Sequence, residues 1–124
     1  DRCVELIESF RLIKNVLISS FHHPFIERVK EVDQRIATGF LYSPLHRKFK
    51  SPVNFTKSIG AEYLITGRSL MNRRLIDDAH DDGLFVGEYT VNTEGGVRRA
   101  LRFGIDALIT NNPRKIRDLL PNKK

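Results

Sequence analysis

The sequence has one cysteine, Cys3, and one methionine, Met71. A lone thiol excludes an internal disulfide framework and fits a reducing, cytoplasmic setting. No apolar run approaches the roughly 20 residues of a membrane span, and no signal-peptide pattern opens the chain. It starts at Asp1 and lacks an initiating methionine, so the expectation is a piece of something longer. A convincing Gly-rich phosphate loop is also missing, because Gly95-Gly96 lacks the flanking pattern of a dinucleotide site. Neither a Ser/His/Asp order nor a Cys/His pair offers an activated nucleophile.

What is there suits one ordinary globular domain spanning residues 1–124. Hydrophobic residues make up 40% of the 124 and charged residues 29%, neither disordered nor fibrous in composition. Lys and Arg outnumber Asp and Glu 21 to 15, which favours anionic partners without naming one. Short β-branched or apolar runs start at residues 16, 36, 61, 84 and 105 and extend over 16–20, 36–42, 61–66, 84–91 and 105–110. They lack clean alternation, as strands covered on both faces do. Between them lie segments with helical punctuation. Val4, Ile7, Phe10 and Ile13 predict one stripe, and Phe25, Val29 and Val32, behind Pro24, another. Leu75, Ile76 and Ala79 lead to a stop at Gly83. Val97, Ala100 and Leu101, capped by Asn92 or Thr93, lead to Gly104. Asn112 and Pro113 open a last helix carrying Ile116, Leu119 and Leu120. Residues 43–54 read as an excursion holding Arg47, Lys48 and Lys50, followed by a short helix over 55–59.

Alternating strands and helices imply a parallel sheet with right-handed crossovers. Five strands in series fit an open doubly wound sheet or part of a closed barrel. A (β/α)8 TIM-type barrel needs about 250 residues, so this chain would supply about five βα units of one. Alone, such an arc would expose two unpaired edges and an unfilled interior.

Three strings choose between these sheets: Ser19-Ser20-Phe21, Tyr89-Thr90-Val91-Asn92, and Gly104-Ile105-Asp106-Ala107-Leu108-Ile109-Thr110-Asn111-Asn112-Pro113. In this order they resemble the C-terminal half of the glycerophosphodiester phosphodiesterase family. Those proteins show Ser-Phe, then Trp-Thr-Val-Asn, then Gly-Val-Asp-Gly-Ile-Ile-Thr-Asp and a proline. The junction Asp77 to Leu84 is similar as well. Tyr89 stands for the usual Trp, Asn111 for Asp, Ala107 for Gly, and His22 for the Asp that often follows Ser-Phe. The resemblance implies a (β/α)8 barrel, with this chain as its five C-terminal units. It also implies hydrolysis of glycerophosphodiesters to glycerol 3-phosphate and an alcohol. A divalent metal, Mg²⁺ or Ca²⁺, would be held by carboxylates, with two histidines as acid and base. Those groups belong to the family motifs His-Arg-Gly, Glu-x-Asp with a following His-Asp, and Glu-x-Lys. That set does not occur here, so the catalytic and metal-binding residues are expected outside this chain. The implied pocket wall is Ser20, Phe21, Tyr89 and Asn92, with Asn92 favoured as a helix cap. The implied partners are a small glycerophosphodiester and the missing N-terminal half or a second copy of the chain.

Other clusters carry less. On a helix, Asp77 and Asp81 share a face from which His80 points away, so metal binding there is disfavoured; Arg73–Asp77 and Arg74–Asp78 are i,i+4 pairs. His22 and His23 lie near the pocket rim, with a phosphate contact weighed against capping, and His46 reads as loop surface. Basic groups at Arg47/Lys48/Lys50, Arg98/Arg99/Arg102, Arg114/Lys115/Arg117 and Lys123/Lys124 raise nucleic-acid binding, but a barrel scatters them over outer helices mixed with acids. A non-catalytic half-barrel interaction module is the remaining alternative.

Overall fold

The computed structural model describes residues 2–44 and 51–121. Among them, helices α1 (Arg2–Ser9), α2 (His23–Val32), α3 (Pro52–Ser58), α4 (Arg73–Asp81), α5 (Glu94–Phe103) and α6 (Pro113–Leu119) alternate with strands β1 (Leu17–Ser20), β2 (Ala37–Tyr42), β3 (Tyr63–Gly67), β4 (Phe85–Tyr89) and β5 (Ala107–Ile109). The strands form one sheet in the order β1-β2-β3-β4-β5, every pair parallel. The expected α/β architecture is therefore present as a curled half-barrel. Parallel neighbours in sequence order place all strand carboxyl ends on one rim, the face where barrel sites are built.

Register assigns the two faces. Ile18 opposes Thr38, Phe40 opposes Leu64, Leu64 opposes Val86, and Thr66 opposes Glu88. This convex face meets the helices, and Phe40, Leu64 and Val86 are fully buried there with Ile26, Val29, Ile76 and Ala79. The concave face carries Gly39, Leu41, Tyr63, Ile65, Phe85, Gly87 and Tyr89. Ile65 fills its middle: a Cβ on Gly39 would lie 2.5 Å from Ile65 Cδ1, and one on Gly87 3.1 Å from Cγ1. Lower on that face Tyr63 and Phe85 stack with ring centroids 5.0 Å apart, yet Phe85 remains 49% exposed.

Several helix boundaries follow the expected chemistry. The Asn112 side chain accepts from Lys115 N with Pro113 opening α6, and Gly104 closes α5 at φ 75°, which glycine reaches without steric cost. Polar latches hold the opposite rim: Lys30 pairs with Glu62 at 2.6 Å while Glu62 accepts from Thr38 N at 2.8 Å. Asp33, on the loop after α2, binds Arg35 through two hydrogen bonds of 3.0 and 2.7 Å. That guanidinium holds the Asp33 carboxyl far below the usual carboxylate range.

The structure corrects other expectations. α1 stops at Ser9 and the chain reverses at Arg11 (φ 57°), so Phe10 leaves the predicted stripe and is 69% exposed. On α2 the buried pair is Ile26 and Val29, with Phe25 packed beside them and Val32 exposed. Leu101 and Leu120 are exposed rather than packed. α3 begins at Pro52 because Ser51 caps it, three residues before the predicted start. A 3₁₀ turn at Arg68–Leu70 was not foreseen. Arg47, Lys48, Lys50, His46, Lys123 and Lys124 lie outside the described residues.

Gly39→Ala should cost about 1–3 kcal/mol in urea unfolding through overpacking against Ile65. Ile65→Val in the same chain should recover part of that loss. Strict additivity of the two costs would contradict the packing assigned to Ile65.

Candidate substrate pocket at the strand carboxyl ends

Phe21 follows β1 and Tyr89 ends β4, three strands apart in the sheet. In a flat sheet that separation is about 14 Å. Their ring centroids are instead 5.8 Å apart in an edge-on contact with an interplanar angle of 77°. The curl of the sheet and the reach of the two side chains bring the rings together, and Phe21 and Tyr89 form one aromatic surface at the carboxyl-end rim. Phe21 is 47% exposed, and Tyr89 is half-buried.

Polar groups around the wall serve mainly to fix it. The Tyr89 hydroxyl donates to the Tyr42 carbonyl at 3.2 Å, and Thr66 Oγ1 donates to the same oxygen at 3.0 Å. Three strand ends are thereby stitched at one acceptor. Burial pushes the Tyr89 phenol above its usual value of 10, so it stays neutral. Gly67 leaves room for the ring, since a Cβ there would lie 3.2 Å from Tyr89 Cε1. Tyr42, Thr66 and Gly67 were not singled out from sequence. Tyr42 and Thr66 close predicted strands and Gly67 lies one residue beyond, but their meeting with Tyr89 joins residues up to 47 apart in the chain.

Ser20 pairs with Phe40 and so belongs to the convex side, while its hydroxyl accepts from His22 N at 3.0 Å. It shapes the turn that presents Phe21. Asn92 is not the cap of α5; Thr93 is, accepting from Gly96 N. Asn92 Oδ1 instead accepts from Thr110 Oγ1 at 2.8 Å and Asn111 N at 2.9 Å, joining the β4 and β5 rims. His22 occupies the N-cap position of α2 with no side-chain cap bond. His23 contacts Glu27 at 3.0 Å and sits edge-on to Phe55.

Among the described residues no group of three or more His, Cys, Asp or Glu side chains could hold a metal ion. His80 turns from its acidic neighbours to Asp106 at 2.8 Å, and Asp106 also accepts from Val86 N. Of the predicted i,i+4 pairs, Arg74–Asp78 spans 3.9 Å, whereas Arg73 lies over Phe103. The chain's one Glu-x-Asp string, Glu31-Val32-Asp33, straddles the end of α2, not a strand end. Glu88 is a carboxylate near the rim that the sequence reading passed over, although a charge inside an apolar strand was the signal. It is 3% exposed on the convex face, 3.5 Å from Arg99, and both contacting atoms lack a hydrogen-bond partner. A divalent ion does not fit this donor set.

Comparison with known proteins agrees with the half-barrel. The glycerophosphoryl diester phosphodiesterase family matches residues 2–115. The chain belongs to that family. A Bacillus altitudinis glycerophosphodiester phosphodiesterase is 26% identical over 116 residues, which cover 91% of this chain and 46% of that protein. A Silicibacter pomeroyi structure, assigned as a glycerophosphoryl diester phosphodiesterase, superposes with TM-score 0.81 at 20% identity, covering 94% of this chain and 41% of that one. An Oleispira antarctica phosphodiesterase in complex with the product sn-glycerol-3-phosphate gives TM-score 0.71 at 21% identity, covering 90% and 47%. The chain thus spans about half the length of the relatives it matches.

Two predictions follow from this geometry. Asn92→Ala should cost about 1 kcal/mol, the net loss of exposed hydrogen bonds to Thr110 and Asn111 N whose place water takes, with α5 helicity intact by circular dichroism; loss of α5 would restore the capping role. Burial raises the Glu88 pKa above 4.5 against the pull of Arg99 and Arg68, so the folded state binds the proton more tightly than the unfolded one. Stability from this group therefore rises as pH falls from neutral toward 4.5. Glu88→Gln should remove that slope in unfolding measured between pH 7 and 5, and an unchanged slope would contradict the assignment.

Proposed function

We propose that residues 1–124 form the C-terminal part of a single barrel domain that hydrolyses glycerophosphodiesters to glycerol 3-phosphate and an alcohol. In this reading the chain supplies the substrate-binding wall. The supporting observation is the Phe21–Tyr89 contact at the strand carboxyl ends of a chain that belongs to this family. The rings offer apolar contact to the glycerol or the leaving group. The Tyr89 hydroxyl is engaged with Tyr42, so the ring carries its role. Ser20 acts by holding the Phe21 turn, and Asn92 by fixing the rim.

The family's metal dependence belongs to the completed barrel. The described donors do not fit Mg²⁺ or Ca²⁺, and no step is assigned to a metal on this chain. The acid/base histidines and metal carboxylates are assigned to the remaining barrel units. No helix among the described residues is long and apolar enough to cross a membrane, and a cytoplasmic location completes the proposal. The observed pairing of Arg98 with Glu94 and Arg99 with Glu88 gives nucleic-acid binding no support.

Purified 1–124 should release no glycerol 3-phosphate from a glycerophosphodiester with Mg²⁺ or Ca²⁺ present; metal-dependent release would overturn the division of labour. In the completed barrel, Tyr89→Ala should raise KM several-fold, since an aromatic contact contributes about 0.5–1.5 kcal/mol, with metal affinity nearly unchanged. Equal loss of both would make Tyr89 structural.

A further inference from the structure

We infer that the cleft between the turn after α1 and the loop before β2 is a binding site for a doubly charged phosphate group, on the rim opposite Phe21 and Tyr89. Residues 11–15 run into the amino end of β1 and Arg35 precedes β2, so the cleft opens at the amino ends of the strands. It has a volume of about 460 Å³ and is lined by Glu8, Arg11, Ile13, Lys14, Asn15 and Arg35. That volume suits a small ligand. Both walls come from this chain, independently of how the barrel is completed.

Positive charge is left over in this cleft after the internal pairs are made. Arg35 is engaged by Asp33 at 2.7 Å and lies 3.9 Å from Glu8, the one carboxylate of the lining. Among the described residues Arg11 and Lys14 have no ion pair, and the Asn15 side chain has no hydrogen bond. Two uncommitted cations match the two charges of a phosphate monoester. The Arg11 guanidinium can take two phosphate oxygens at once, with Lys14 as a point charge and the Asn15 amide as a further donor. Ile13, packed against the core, supplies an apolar wall for the organic part of the ester.

The backbone beneath the cleft points the same way. Leu12 N donates to Ile7 O at 3.0 Å and Arg11 N to Glu8 O at 3.1 Å, the paired bonds of a Schellman ending for α1. Arg11 is its left-handed residue at φ 57°, a conformation that glycine reaches freely and a β-carbon resists. Gly104 holds the corresponding position after α5. Glycine at position 11 would therefore close α1 with less strain than arginine does. What arginine adds there is a guanidinium on the wall of the cleft, and strain kept in place of a glycine is a mark of function.

The test has two arms at about pH 8, where a phosphate monoester is doubly charged. One titrates 1–124 with glycerol 3-phosphate and follows backbone amide shifts; the other sediments 1–124 with phosphatidylcholine vesicles carrying phosphatidic acid. Shifts over residues 11–15 and at Arg35 are expected if the phosphate is free, and cosedimentation if it is borne on a lipid. In the arm that responds, Lys14→Ala should weaken binding about fivefold, and Glu8→Gln should tighten it by removing the opposing carboxylate. Arg11→Gly separates the charge from the fold. It should weaken binding about fivefold while raising the urea midpoint of unfolding. Binding in neither arm would overturn the inference, as would an affinity indifferent to Lys14→Ala and Arg11→Gly. Shifts confined to Phe21 and Tyr89 would also overturn it, while supporting the substrate-pocket reading at the opposite rim.

Discussion

Five parallel strands, each paired only with its neighbours in sequence, set every other property of this molecule. Parallel pairing demands a crossover after each strand, and right-handed crossovers put all the helices on the convex side. Sequence-order pairing then sends every strand carboxyl end to the same rim. Curl does the rest, turning a row of strand ends into a concave rim on which Phe21 meets Tyr89. Gly39 and Gly87 permit that curl to be filled by Ile65, a large side chain between two absent ones. The same pairing leaves β1 and β5 with backbone groups facing outward, and such groups need a partner or water.

The rim divides its labour between polar and apolar atoms. Hydroxyl and amide groups are turned inward to backbone: Thr66 and Tyr89 to the Tyr42 carbonyl, Ser20 to the His22 amide, Asn92 to the β5 rim. Aromatic surface is what remains toward the cavity. Acidic groups follow a similar rule, since Asp106 secures His80 and Val86 N, and Glu88 faces Arg99 behind the wall. A rim built this way is pre-ordered, its described hydroxyl and amide groups committed to neighbouring strands and turns.

Much of the fold was legible because its signals are local. Strand lengths, the 20-to-25-residue spacing and caps at Asn112 and Gly104 depend on a few adjacent residues. The placement of Phe21 and Tyr89 at strand carboxyl ends was legible through ordered strings that resemble one family. What sequence could not convey were choices between neighbours. Asn92 and Thr93 are both good caps, and only the distance to Thr110 decides which one is free for the rim. Ser20 reads as a pocket residue until strand parity pairs it with Phe40. The stripe through Phe10 failed because the chain reverses at Arg11, a left-handed non-glycine that carries no sequence signature. Leu101 and Leu120 look like core by periodicity, and in this arc they border the open seam.

The central claim is that curl brings the β1 and β4 ends together at one rim. Nuclear Overhauser contacts between the ring protons of Phe21 and Tyr89 in 1–124 test it most directly, because the curled sheet places these rings edge-on with centroids 5.8 Å apart. The account predicts a clear cross-peak between them, alongside parallel contacts from Gly67 to Tyr89. Absence of that cross-peak, with antiparallel contacts between any two neighbouring strands, would contradict it.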